Sequence, residues 1–589
     1  MSPVLAALLA LGAPALAAVV LALVPGLRRR ARVAAGLCIG ATTLALIAAL
    51  GLCLWWSGGP APVTAAVDWL RSGGVALGRA GVHLDGVSIA MLAVVASVAL
   101  AVQVYSIGYL RDETAASRGR YFAYHALFLF SMELLVLAPD LLTLFAGWEL
   151  VGVCSYLLIG FYYQRPTAAR AATKAFWIVK LADSAFVLAL VVVLAGSGGL
   201  GWDATLSPGL AEAAALLLLV AVAGKSAQLP LHVWLPDAMA GPTPVSALLH
   251  AATMVAAGVY LVVRADAVFA AAPFARLVMA HAGAITAAVA GLLALRQTDL
   301  KRLLAYSTCS QLGFMLAGLG AGEVAGGYFH LATHAAFKAL LFLAAGSLIH
   351  AAGGNSLDGM RGLGRRLPVT GAVFVVGALA LGGIPGLSGF FSKDLILEGV
   401  AAAHLPVVLA LLLATGLVTA LYAGKVLAVL FGPAGARAHE APPSMLGPLV
   451  ALAIPAAFAG LATSGFTAFV GRPATFHLGA TGWLAAGLAL AGLAAGWLGG
   501  ARLASAARFL DARPFDRFYE LAYARVLVAF AAVTAWLDRY IIDGLMNGVA
   551  AATLGAGRRL RALQTGNVQD YLLAVAGGAI ALVVWGILR

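Results

Sequence analysis

Charged side chains are scarce in this sequence. Asp, Glu, Lys and Arg make up 10% of its 589 residues, against roughly 25% in soluble domains. With 62% hydrophobic residues and a mean hydropathy of +0.98, that scarcity excludes a soluble globular protein. Cysteine is scarcer still. Cys38, Cys53, Cys154 and Cys309 stand singly, with no CxxC pair and no zinc spacing, so no disulfide frame, iron–sulfur cluster or zinc site is expected. A soluble basic domain is also missing, which removes nucleic acid as a partner for the net charge of +13. The basic residues read instead as anchors of cytoplasmic loops.

What the chain has is length in apolar runs. About sixteen runs of membrane-spanning length recur, near 3–25, 33–56, 87–109, 121–138, 140–163, 172–196, 210–229, 243–265, 276–295, 301–320, 325–350, 368–397, 404–431, 445–470, 481–500 and 570–588. The 69 glycines suit helices that pack closely in lipid. The first run resembles a signal peptide, but its arginines follow the apolar stretch, the wrong order for a cleaved signal. It reads as a first membrane helix with its N-terminus outside.

Loop charges give the orientation. Alternate loops hold Arg28, Arg29, Arg30 and Arg32; Arg111, Arg118 and Arg120; Arg165, Arg170 and Lys174; Arg296, Lys301 and Arg302; Arg361, Arg365 and Arg366; Arg437; and Arg502, Arg508 and Arg513. The opposite loops hold Arg71, Arg79, Arg264, Arg276 and Arg472. The richer set marks the cytoplasmic side, and both termini then lie on the outer side. Residues 511–565 break the pattern: too polar to span, they carry an apolar helical stripe punctuated by Arg525, Asp538, Arg539 and Asp543. They read as a long amphipathic helix along the membrane surface or a partner protein, pinned by the span at 570–588.

The few charges that remain sit where they cost most. An ionisable group in a membrane segment costs about 2.5–3.5 kcal/mol on insertion scales and marks an ion or proton path by default. Glu149 lies in LFAGWELVGV, Lys180 and Asp183 lie three apart in FWIVKLADSAF, and Lys225 precedes a proline-containing break. His250 follows in SALLHAATM. His330, His334 and Lys338 recur every four residues, which stacks them on one helical face. Lys393 and Asp394 close the series in GLSGFFSKDLIL. Each has a plainer reading. Glu149 serves as a partner for a buried lysine, Lys180 and Asp183 as a structural ion pair, Lys225 as a satisfied core lysine, His250 as a core histidine, and Lys393 and Asp394 as interfacial residues. Recurrence helix after helix favours the path. Two histidines on one face with a lysine one turn away do not make a haem or zinc site.

Two spans are interrupted, 210–240 by Pro230 and Pro236 and 368–397 by Pro385, Gly386 and Gly389. Broken helices in corresponding positions of two halves signal an inverted repeat with ion sites at the breaks. Five spans per half is odd, so consecutive halves must have opposite topology. The expected organisation is N-terminal spans in 1–120, half-channels in 121–265 and 276–431, further spans in 445–500, the lateral helix in 511–565 and the anchor in 570–588, an all-α polytopic membrane fold.

GWELVGVCSYLLIGFYY, GKSAQLPLHVWLPDAMAGPTPVSALLHAATMVAAGVYLVVR, DLKRLLAYSTCSQLGFM, FHLATHAAFKALLFLAAGS and GIPGLSGFFSKDLIL together resemble the antiporter-like membrane subunits of respiratory complex I. FFSKD and LQTGNVQDYLL look most like the L type of bacterial proton-pumping NADH:quinone oxidoreductases. The resemblance implies fourteen core spans with a lateral helix lying along neighbouring antiporter-like subunits, in a bacterial inner membrane. It implies proton-pathway roles for Glu149, Lys225, Lys338 and Lys393, with His250, His330 and His334 connecting them and Asp183 in the first half's charge network. The family often has Arg where Lys180 stands, which leaves that residue's role open. NADH, FMN, iron–sulfur clusters and quinone would sit on partner subunits, with no cofactor on this chain. Burial disfavours a lysine's charge and a nearby carboxylate restores it, so moving Glu149 relative to Lys225 would load or unload a proton. Three rivals share some of these features: a multi-subunit cation/proton antiporter subunit, a subunit of a membrane-bound hydrogenase or inorganic-carbon uptake complex, and a structural scaffold without pumping.

Overall fold

The computed structural model describes residues 2–433, 438–506, 513–522, 525–526, 528–562 and 564–589. The chain divides into two compact units, Met1–Asp511 and Ala512–Arg589. Helices dominate both, as lipid requires of a backbone that must satisfy its own hydrogen bonds. In the first unit the longer helices are α1 (Pro3–Leu23), α2 (Ala31–Trp56), α3 (Gly86–Tyr109), α4 (Ala115–Val136), α5 (Leu141–Ile159), α6 (Pro166–Ser197), α7 (Pro208–Lys225), α8 (Thr243–Ala251), α9 (Met254–Arg264), α10 (Pro273–Arg296), α11 (Leu300–Ala321), α12 (Val324–Ala352), α13 (Pro368–Gly382), α14 (Ser388–Ala402), α15 (Pro406–Leu430), α16 (Pro443–Phe458) and α17 (Ala480–Ala506).

The sequence explains the starts of these helices. Asp85, Thr114, Asp140 and Asp299 each accept a backbone N–H of the first turn, at α3, α4, α5 and α11. Prolines open α6, α7, α10, α13 and α15. Small residues set the closest approaches. At the α10–α11 crossing, a Cβ on Gly283 would stand 2.6 Å from the Gly313 carbonyl oxygen, so only glycine lets the two backbones meet.

Among the described residues thirteen helices are long and apolar enough to cross a membrane, or fourteen if the pair Leu357–Arg366 and Pro368–Gly382, bent by 112°, is one span. The sequence carries about sixteen apolar runs of that length. The three runs outside the thirteen are helical too, but differ in kind. α4 carries Arg118, Arg120, His125 and Glu133, α11 carries Lys301, Arg302 and a polar STCSQ stretch, and 368–397 is split into α13 and α14.

The fold departs from the all-α expectation in one place. Val63–Ser72 and Val75–Leu84 form an antiparallel hairpin, β1 and β2. Its two-residue connection is Gly73–Gly74, with φ of +56° and +82°, the left-handed pair that a tight hairpin needs. That glycine pair, between alternating residues, is the hairpin's signal in the sequence. The hairpin is tied to the start of α5: the Arg79 N–H donates to Asp140 Oδ2 at 2.6 Å, and the Thr143 hydroxyl donates to the Arg79 carbonyl at 2.7 Å.

Both expected breaks are present. α7 stops at Lys225 and regular helix resumes only at Thr243, apart from short turns. α13 stops at Gly382, and Gly383 and Gly386 take φ of +75° and +90° before α14. A third break was not expected. The run at 243–265 divides at Ala252–Thr253 into α8 and α9, and the Thr253 hydroxyl donates to the Leu248 carbonyl at 2.6 Å, satisfying an acceptor that the break sets free.

In the second unit, Arg513–Ala522, Val528–Trp536 and Asp543–Arg561 are helical, with a wider-wound turn at Leu537–Ile542, and Val568–Ile587 is a spanning-length helix. The lateral helix expected at 511–565 falls partly on residues 511, 512, 523, 524, 527 and 563, outside the described residues.

Candidate functional site

The first group of charges gathers where α5, α6 and the end of α7 meet. Lys180 and Asp183 share a face of α6 and stand 3.9 Å apart, as their spacing predicts. Lys180 forms an ion pair with Glu149 of α5. Asp183 accepts the Trp148 indole N–H at 2.6 Å and lies 3.8 Å from Lys225 Nζ. Lys225, fully buried, also donates to the Trp148 carbonyl at 2.9 Å and rests over its ring. The groups therefore alternate in sign: Glu149, Lys180, Asp183, Lys225. The sequence couples Glu149 to Lys225 but does not say which carboxylate stands beside it. The carboxylate beside Lys225 is Asp183, and Glu149 pairs with Lys180, because packing across helices decides which partner is near.

The second group runs along α12. His330, His334 and Lys338 are all fully buried. Lys338 Nζ reaches the Ser307 hydroxyl and the Leu304 carbonyl of α11. Among the described residues it has no carboxylate within ion-pair distance. His334 has no hydrogen-bond partner on either ring nitrogen there, and its ring centroid is 6.3 Å from that of His330. His330 Nδ1 lies 2.8 Å from the Ser392 hydroxyl, and its Nε2 lies 3.3 Å from Gln311 Oε1. Ser392 precedes Lys393 on α14, so the line passes from α12 to α14 here. Lys393 donates at 2.6 Å to the Leu381 carbonyl, one of those freed where α13 ends. Lys393 and Asp394 are 5% and 1% exposed, so they are interior residues of this chain. Both Asp394 oxygens lack partners among the described residues. A cavity of about 20 Å³ lined by Phe314, Phe390, Lys393, Asp394 and Leu412 adjoins them, room for a water.

His250 stands between the groups. It is fully buried on α8, stacks on Phe342 of α12 at 5.3 Å, and neither ring nitrogen has a partner among the described residues. Phe342 is one turn beyond Lys338. On the other side, the hydroxyl of Ser226, next to Lys225, donates to the Val255 carbonyl of α9 at 2.8 Å. The α8–α9 break thus lies between Lys225 and the α12 column.

Several buried polar residues were missed. Lys301, counted as a loop charge, is buried and donates to the Met239 and Gly241 carbonyls at 2.7 and 2.8 Å. Lys425 does the same for Leu295 and Gln297, both at 2.8 Å. Two carbonyls each make these lysines caps of helix ends, those at Ala240 and Arg296. Glu133, His125 and Gln103 are fully buried as well; their presence in apolar runs was a usable signal. Near the hairpin, Asp85 pairs with Arg264 of α9, with His83 3.5 Å away. Among the described residues no three His, Cys, Asp or Glu are grouped to hold a metal ion.

Residues 138–419 match the family described as NADH:quinone oxidoreductase/Mrp antiporter, TM, and residues 69–122 match NADH-Ubiquinone oxidoreductase (complex I), chain 5 N-terminus. The F(420)H(2) dehydrogenase subunit L of Methanosarcina mazei is 38% identical over 590 residues, covering 85% of this chain and 87% of the relative. The NADH-quinone oxidoreductase subunit L of Mycobacterium tuberculosis is 37% identical over 556 residues, covering 87% of each. A chain in the structure of the Mrp complex from Dietzia sp. DQ12-45-1b is 26% identical with a TM-score of 0.72; the match covers all of this chain and 63% of that one. The chain belongs to the antiporter-like membrane subunits of the NADH:quinone oxidoreductase/Mrp antiporter family.

Proposed function

We propose that the chain is the proton-translocating L-type membrane subunit of an NADH:quinone oxidoreductase. The observation that carries this reading is the row of titratable groups that starts at the partly exposed Glu149 and continues through the buried Lys225, His250, Lys338, His334 and His330 to Lys393 and Asp394. A row of this kind has no packing rationale, since apolar side chains would fill the same space without the cost of burying charge. The relatives that carry the names of quinone oxidoreductase subunits support the same reading.

Glu149, Lys225, Lys338 and Lys393 carry the proton, and His250, His330 and His334 relay it, helped by water where ring nitrogens lack protein partners. In the first half, Lys180 and Lys225 share Asp183, so a small shift of α6 against α7 exchanges partners and loads or releases a proton. Residues 121–265 and 276–431 form two half-channels of opposite topology. The redox groups, NADH, FMN, iron–sulfur clusters and quinone, belong to partner subunits. Both termini lie on the outer side of a bacterial inner membrane. The lateral helix lies along neighbouring antiporter-like subunits: Val526, Phe530, Val533, Leu537 and Tyr540 recur at spacings of three and four, one apolar face that a partner would cover. Glu149 and Lys180, 28% and 23% exposed, also call for a neighbour, since charge does not face acyl chains.

Copurification tests the assembly: NADH dehydrogenase subunits should come down with this chain. Lys225→Ala and Glu149→Ala should each sharply reduce proton pumping by the assembled complex, and near-normal proton-to-electron stoichiometry in both would remove them from the path. A second reading, a subunit of a cation/proton antiporter, draws on the full-length match to the Mrp chain; copurification with exchanger subunits and no redox partner would favour it.

A further inference from the structure

Glu133 lies outside the row. It is fully buried in α4, and neither carboxylate oxygen has a hydrogen-bond partner among the described residues. Its place on the helix turns it away from Glu149. Ser131, two residues earlier, faces α5, its hydroxyl 3.6 Å from Cys154 Sγ. Two residues turn a helix by about 200°, so Glu133 is on the far side. Gly119, about four turns before Glu133, shows what that side packs against. A Cβ there would strike the Arg28 carbonyl, just past α1. The buried faces of α1 and α2 hold mostly alanines, with Cys38 and Thr42 as their polar members, and the Thr42 hydroxyl already donates to the Cys38 carbonyl. Neither helix brings a basic side chain to its buried face, α3 and α5 contain no basic residue, and Arg264, the one basic residue of α9, pairs with Asp85. A carboxylate here would be an unpaired ion in an apolar interior, whereas a carboxylic acid would be neutral.

The same bundle holds two more polar groups without partners. His125 is fully buried on α4, stacked on Tyr121 at 4.2 Å, with neither ring nitrogen bonded among the described residues. The Tyr121 hydroxyl is 2.6 Å from the Ser106 hydroxyl of α3. A short connection makes α3 and α4 antiparallel neighbours. One turn back from Ser106 reaches Gln103, and one turn on from Tyr121 reaches His125, so the two stand at one level. Both amide atoms of Gln103 also lack partners.

We propose that Glu133 and His125 form a second proton-binding site, in the bundle of α1 to α4, separate from the Glu149–Asp394 row. Glu133 holds an exchangeable proton as a carboxylic acid. His125, about 12 Å back along the helix axis toward its N-terminus, exchanges that proton with it through intervening water, at the level of Gln103. The site stands whether or not the row translocates protons, because its readout needs no turnover.

The test is infrared difference spectroscopy of the assembled complex in membranes, wild type against Glu133→Gln. The expected result is a protonated-carboxyl C=O band that disappears in the variant and shifts within minutes in deuterated buffer. Absence of the band means an ionised group, and a band unshifted after a day means a sealed structural acid; either result overturns the proposal. His125→Phe keeps a ring on Tyr121 and leaves Glu133 in place. It should slow the deuterium shift at least several-fold, and an unchanged rate removes His125 from the site. If Glu133→Gln fails to assemble, Glu133→Asp, which retains the acid but displaces its band, makes the same assignment.

Discussion

The two ends of the row handle charge in opposite ways. Around α5, α6 and α7, every charge has an opposite neighbour: Glu149 pairs with Lys180, and Asp183 lies within 3.9 Å of both Lys180 and Lys225. Along α12 and α14, Lys338 and Lys393 rest on hydroxyl and carbonyl oxygens, and Asp394 has no partner among the described residues. A compensated lysine changes state when its partner moves. An uncompensated one has no carboxylate partner whose movement could change its state, so under the proposed function the second group would pass protons along rather than capture them. Under the proposed function, that difference would give control to the first group and conduction to the second.

The largest effect should come from removing the shared carboxylate. Asp183→Asn leaves Lys225 buried and unpaired, a disruption of about 3–5 kcal/mol for a broken buried pair. Most proton pumping should be lost in vesicles that still oxidise substrate; retention of full pumping would erase the distinction between the groups. Giving the second group what the first has is the converse. Ser307→Asp places a carboxylate by Lys338 and should hold its proton about tenfold more tightly, roughly 1.4 kcal/mol, so proton transfer through the complex should slow by a similar factor. A wild-type rate would mean that Lys338 does not titrate in turnover. Lys180→Arg should be milder, since Arg keeps the ion pair with Glu149 but does not readily give up a proton. With both side chains partly exposed, the stability change should stay within about 1 kcal/mol, and thermal melting of the purified complex would show it. A shift well beyond that would mean the pair is sealed by a neighbour. Smallest of all, Ser392→Ala removes one bond to His330, about 1 kcal/mol. Turnover should fall a few-fold with assembly intact, and no change at all would place the His330–Ser392 contact off the route.

The interior charges were legible in the sequence because charge in an apolar run cannot hide. Lys225, the His330–His334–Lys338 ladder and Lys393 were visible as interruptions, and spacing within one helix gave the Lys180–Asp183 neighbourhood directly. Contacts between helices were not legible. Nothing in one chain says that Asp183 rather than Glu149 reaches Lys225, since that depends on how α6 rotates against α5 and α7. Lys301 was misread for a related reason: beside Arg302 at a helix start it looks like a loop charge, and only the fold brings the Met239 and Gly241 carbonyls to it. The break at Ala252–Thr253 contains no proline or glycine and left no mark. Gly73–Gly74 did leave one, but hydropathy windows tuned to twenty-residue spans pass over ten-residue strands.

The most direct test of the account is the number of protons translocated per electron pair by the reconstituted complex carrying Lys338→Met. The account predicts normal assembly and a clearly reduced ratio, because a thioether accepts no proton where the α12 column must pass one. A wild-type ratio at undiminished electron transfer would contradict it.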